Sequence, residues 1–260
     1  MSSSQSGSNL PKNTDNKPEE LIVQNSFVSR GNRFHIGGLH NISFRVQVPN
    51  QKSFVACTLN NLSHQGLAFQ FVSQLPLLQE GSNINAEIIL DDTPISIVLT
   101  IRHFSQNGVG CELFSDKAEF KKHVDEFLVD EIKAVEMIEV SSDKLKKDSD
   151  GNGHYFTTPD SSCTLYYAEN NGKVNKIHIN VLGNTINLSP AGEISYGFVL
   201  DEGGPDSIIS VKVSSLPPEI INHAMRFITN IKSLPDNHRE QVVTLIEDAK
   251  YFGPADQDVA

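Results

Sequence analysis

The sequence of 260 residues is short of several things that would assign it quickly. Cysteine is one. Cys57, Cys111 and Cys163 are odd in number, widely spaced and without a CxxC pair, which removes a disulfide framework and a cysteine zinc site alike. All three read as small buried hydrophobes. Long apolar runs are another: none approaches the ~20 residues needed to cross a bilayer. The first twenty residues, rich in Ser, Asn, Pro and Lys, hold no apolar core of signal-peptide type. A cytoplasmic location without a membrane span is expected. Enzyme signatures are also missing, with no GxSxG, P-loop or HExxH, and Ser63 and His64 are chain neighbours that an extended segment would point to opposite faces. The nine histidines show no ligand spacing, so no catalytic residue, no metal and no cofactor is expected.

Acid is missing from one region. The net charge of −11 argues against binding to bulk nucleic acid or acidic membranes. From Leu21 to Gln79, however, there is no Asp or Glu, while Arg30, Arg33, Arg45 and Lys52 all fall there. A locally cationic segment in an acidic protein suits a small anionic ligand, because a general positive field would attract polyanions too. A poorly charged sheet would give the same pattern.

What is present is mostly alternation. Phe44, Val46 and Val48 share one face of a strand, as do Leu67, Phe69 and Phe71, then Ile84, Ala86, Ile88 and Leu90. Ile95, Ile97, Leu99 and Ile101 continue the pattern, and Val109, Cys111 and Leu113 close it. Asp91-Asp92-Thr93-Pro94 and Ser105-Gln106-Asn107-Gly108 carry turn chemistry. Strands with a single apolar face are best satisfied by closing into an antiparallel barrel, which removes exposed edges. Asp116 and Glu119 form a capping-box pattern before one helical stripe running through Phe120, Val124, Phe127, Leu128, Ile132, Val135 and Ile138. The stripe packs on the barrel or on a second copy of the chain, so a homodimer is allowed.

The fold class expected is mainly β with helices (α+β). Residues 1–20 are a disordered tail, 21–140 a barrel with a C-terminal helix, 141–153 a polar linker, 154–253 a second, smaller domain of β-meander and helices, and 254–260 a tail. In the second domain, strands are expected over 164–168, 176–182, 185–188, 195–200 and 208–213, followed by two helices, one starting near Pro218 and one lined by Val242, Leu245, Ile246 and Ala249. Asp148-Ser149-Asp150-Gly151-Asn152-Gly153 imitates the start of a calcium loop, but Pro159 stands where the bidentate glutamate is required, so the stretch reads as linker.

Between two apolar runs lies Asn61-Leu62-Ser63-His64-Gln65-Gly66, a polar cluster that looks too long for a two-residue hairpin and is expected to be a loop. It resembles the [Asp/Asn]-x-Ser-x-x-Gly signature of the PilZ family, bacterial receptors for cyclic di-GMP. The surroundings are similar over roughly residues 30–130, from FVACTLNNLSHQGLAFQF through Glu80-Gly81 to IVLTIRHFSQNGVGCELF before a helix. The resemblance implies a six-stranded antiparallel barrel with a helix at one end, and cyclic di-GMP as ligand. Asn61 can pair with a guanine edge, Ser63 can follow the ligand with a rotating hydroxyl, and Gly66 lets backbone come close. Arginine completes such a site, because its planar fork grips phosphate and its face stacks on guanine. The family carries Arg-x-x-x-Arg before the first strand. Here Arg30 and Arg33 are spaced Arg-x-x-Arg, one residue short, and Gly37 stands where a second arginine counted from Arg33 would be. His35 and His64 are additional candidate contacts.

The reading that follows is a bacterial, cytoplasmic effector that binds cyclic di-GMP through Arg30, Arg33, Asn61, Ser63 and Gly66 and passes the signal to its second domain and, through it, to a protein partner. Its alternative is a barrel of the same family that has lost the ligand and serves as a protein-interaction adaptor.

Overall fold

The computed structural model describes residues 32–47, 52–72, 78–106, 108–114, 117–144, 150–199 and 208–249. Both expected tails, Arg30, Val48, Asn107, Asp116 and the lysines 146 and 147 lie outside the described residues. Within the described part the chain forms β1 (Phe34–His35), β2 (Ile42–Gln47), β3 (Phe54–Ser63), β4 (Gly66–Phe71), β5 (Asn83–Leu90), β6 (Thr93–Ser105), β7 (Gly108–Leu113), α1 (Lys117–Phe127) and α2 (Val129–Val135). There follow β8 (Ile138–Val140), a short 3-10 turn, β9 (Asn152–Thr157), β10 (Thr164–Asn170), β11 (Lys173–Val181), β12 (Asn184–Leu188), β13 (Ile194–Val199), β14 (Ile208–Val213), α3 (Pro218–Asn230) and α4 (Asp236–Asp248).

The first sheet runs β1-β3-β2-β5-β6-β7-β4, and β4 returns to pair with β3, which closes six antiparallel strands into a barrel. The extra strand β1 lies along the far end of β3, with Phe34 opposite Leu62 and His35 opposite Asn61. Alternation places Phe44, Leu59, Phe69, Ile88, Leu99, Ile101 and Val109 inside. Between β5 and β6 the turn is two residues, Asp91 and Asp92, both at positive φ (43° and 68°), the backbone that a tight hairpin with native twist requires. Cys57, Cys111 and Cys163 are free and buried. Burial pushes the Cys57 thiol to about 11 and Cys111 to about 12, so both stay protonated and behave as packing groups.

Two expectations change along the chain's middle. The helical stripe is two helices, broken at Leu128, whose backbone (φ −101°, ψ 24°) leaves the helix. Phe120, Val124, Phe127 and Leu128 plug the barrel; on α2, Ile132 and Val135 still pack against that core while Ala134 joins the core of the second sheet. Ile138 belongs to β8, the edge strand of that second sheet.

The second sheet is a seven-stranded antiparallel meander in chain order from β8 to β14. Its two first strands precede the five that alternation picks out. Helices α3 and α4 cover one face, burying Ile221, Phe227, Ile228, Val242 and Ile246 against Phe156, Leu165, Ile177 and Ile179. Among the described residues no helix is long and apolar enough to cross a membrane.

Candidate functional site

The Asn61–Gly66 cluster is built as strand, not loop. β3 continues through Ser63, β4 begins at Gly66, and only His64 and Gln65 make the turn. Two features make so short a connection work. Ser63 Oγ donates to Gly66 O at 2.9 Å, bracing the hairpin from inside, and Ser63 is 6% exposed. Gly66 brings β4 hard against β7: a Cβ there would sit 2.1 Å from the carbonyl oxygen of Cys111. The signature glycine therefore has a packing reason that needs no ligand.

β1 places the arginine-bearing segment beside this hairpin. Phe34 points inward with Leu62, so Arg33 and His35 are left exposed. His35 pairs with Asn61, and Arg33 directly precedes β1. The fold thus brings His35 and Asn61 together on one ladder, with Arg33 just before it in the chain and Ser63 at the end of β3. His64 turns the other way, with Nε2 2.5 Å from Oδ1 of Asp125 on α1 in ion-pair contact, although not in hydrogen-bond alignment.

Residues that sequence reading missed complete the surroundings of Arg33. An open cleft of about 290 Å³ is lined by Asn32, Arg33, Thr229, Asn230, Lys232 and Arg239 among others, and among the described residues no carboxylate lines it. Arg239 is positioned by its own hydrogen bonds: Nη2 donates to the carbonyls of Ile231 (2.8 Å) and Leu234 (2.7 Å), and Nη1 pairs with Asp236. Its Nε is buried without a hydrogen-bond partner. No signal in the sequence links Arg33 to residues some 200 positions later; only the packing of α3 and α4 supplies them. Of the other cations in the acid-free stretch, Arg45 is engaged elsewhere, 2.6 Å from Glu87 and over the ring of Phe54.

Past Arg33 the segment is held a second time. Gly37 N–H donates to His40 Nδ1 (3.2 Å), so Nε2 carries the ring proton and donates to Glu131 Oε1 at 2.9 Å. Glu131, on α2 and fully buried, also accepts from Arg226 of α3, from Nε at 2.6 Å and Nη2 at 2.9 Å. Burial alone would raise the Glu131 carboxyl, but the hydrogen bonds from His40 and Arg226 and the guanidinium charge outweigh it and hold the carboxyl at about 2. Arg226 Nη2 further donates to Phe127 O, and Asn222 Nδ2 to Leu39 O at 2.8 Å. Beside them His223 bonds Asp130 at 2.6 Å.

A search of curated proteins finds no match. Among solved structures, an uncharacterised Legionella protein aligns at 11% identity with a TM-score of 0.26, over 38% of this chain and 88% of that one. The Borreliella burgdorferi PlzA protein, in complex with c-di-GMP, aligns at 14% identity with a TM-score of 0.23, over 70% of this chain and 81% of that one. The family model of the PilZ domain matches residues 30–130. The six-stranded barrel and the helices that plug it are accordingly the part of this chain that is similar to the PilZ domain.

Proposed function

We propose that this chain is a bacterial, cytoplasmic signalling protein that binds cyclic di-GMP at the β1–β3 ladder and carries no catalytic activity. The observation that supports the reading is the position of Arg33, which directly precedes the β1 strand paired with Asn61 and Leu62 and lines, with Lys232 and Arg239, a cleft that has no carboxylate in its lining among the described residues. A ligand with two phosphates and two guanines matches that arrangement. The cleft is at the low end of the ~300–1,000 Å³ typical of small-molecule sites. It would take a phosphodiester, leaving a base to run along the ladder towards His35 and Asn61. Arg33 would grip phosphate or stack on guanine, and Arg30 would close over the ligand from the preceding segment. Binding would reorganise the arginine-bearing segment around the ligand and present the result to the second lobe, which would engage a protein partner.

The alternative is the adaptor without ligand, and two observations favour it: Gly37 occupies the place of the second arginine, and the Ser63 hydroxyl is already satisfied within the hairpin. Calorimetry with cyclic di-GMP on the full chain, wild type against Arg33→Ala and Lys232→Ala, separates the two. The receptor reading expects saturable binding that both substitutions weaken. A folded wild type that is silent at millimolar ligand establishes the adaptor instead.

A further inference from the structure

The histidines have no ligand spacing in the sequence, yet the fold gathers two of them around a carboxylate on the second lobe. His154 on β9, Glu169 on β10 and His238 in the first turn of α4 each offer a ligand atom, and these atoms lie within 4.8 Å of one another. None of the three is fully enclosed: their side chains are 29%, 19% and 12% exposed respectively, sheltered but reachable from solvent. The supporting partners are the kind that prepare imidazoles as ligands. His238 Nδ1 is 2.8 Å from the Tyr167 hydroxyl, which leaves Nε2, already 2.8 Å from Glu169 Oε2, facing the carboxylate. His154 Nδ1 is 3.2 Å from Glu139 Oε1, and its ring lies stacked on Tyr167 with centroids 4.7 Å apart. Fixing one ring nitrogen on a carboxylate or hydroxyl sets the tautomer and aims the other nitrogen outward.

We propose that His154, Glu169 and His238 bind one divalent first-row transition-metal ion, with Zn²⁺ the best match to two imidazoles and one carboxylate. A fourth position would be left to water. Because the ligands come from two strands and a helix, the ion would also fasten α4 to the sheet.

The test uses the untagged full chain and Zn²⁺ alone, without nucleotide, so its result is independent of the cyclic di-GMP reading. Calorimetry and metal analysis should give one equivalent per chain, and Zn²⁺ should raise the Tm. Cobalt substitution should give the visible bands of a low-coordinate nitrogen and oxygen site with no thiolate charge transfer. His154→Ala and Glu169→Gln should each weaken binding about tenfold or more, and affinity should fall below about pH 6 as the imidazoles protonate. Both variants leave His238 bonded to Tyr167, and circular dichroism checks their fold. A folded wild type that takes up no Zn²⁺, or binding unchanged in both variants, overturns the site.

Discussion

The proposed nucleotide site turns on Arg33, because it lines the cleft and directly precedes β1, the strand that pairs with the signature strand. Removing a charge-assisted contact costs roughly 1.5–3 kcal/mol, so Arg33→Ala should weaken cyclic di-GMP by about one to two decades, as calorimetry will read. Arg33→Lys should recover only part of that loss, since it keeps the charge without the fork or the stacking plane. At Gly37 a Cβ meets nothing within 4 Å, so Gly37→Arg is sterically open and should tighten binding if the missing arginine limits it. If Arg30 already makes that contact by another path, Gly37→Arg changes little and Arg30→Ala becomes as damaging as Arg33→Ala. Gly66 belongs to a different category. A methyl group there would overlap the Cys111 carbonyl, and Gly66→Ala should lower stability by about 1–3 kcal/mol in urea unfolding whatever the ligand does. Ser63→Ala is likewise a change in a buried strand residue, so its effect on stability must be measured before any effect on affinity is interpreted.

At the scale of elements, the buried pairing of α2 with α3 is sensitive to acid. Glu131 titrates near 2 when folded, below its ordinary value of 4.5. Its contribution is therefore complete above about pH 4.5 and lost as the pH falls through about 2, worth about 3 kcal/mol in between. Urea unfolding across that window should show the loss, and Glu131→Gln should flatten it. Arg226→Met, which strands the carboxylate, should cost about 3–5 kcal/mol at neutral pH. These elements also show what the sequence could disclose. Strands β2, β4, β5, β6 and β7 were legible from apolar alternation, which burial follows closely in β2 and β5. The break at Leu128 was not, since apolar spacing runs through it undisturbed, with Ile132 and Val135 beyond it still packed against the barrel core. β8 was hidden for a related reason: Ile138 extends the helical spacing, but it is 55% exposed on an edge strand. The two-residue turn escaped notice because the bracing bond of Ser63 and the close approach at Gly66 are tertiary facts. Lys232 and Arg239 could not be found at all, as nothing local marks them as neighbours of Arg33.

For the whole molecule, the layout of two lobes joined by a polar linker at 141–153 is a proposal that proteolysis can examine. Cleavage is expected at Lys144, Lys146 or Lys147. The two fragments should still elute together, because β8 stays on the first fragment while pairing with β9 on the second, and Arg226 still grips Glu131. Arg226→Met should let the nicked halves part at lower urea than wild type. Protection of all three lysines under conditions that trim the N-terminal residues would count against the linker.

The stretch from Arg33 to His40 is fastened at one end to the signature strand and at the other to α2 and α3. A segment with two attachments obeys thermodynamic reciprocity: whatever factor a nucleotide imposes on the affinity of a protein for α3, that protein imposes on the affinity for the nucleotide. If the chain takes both a nucleotide and a partner that grips α3, a dissociation constant measured on the isolated chain describes only the unpartnered state, and any coupling between the two shifts it without touching a single ligand contact.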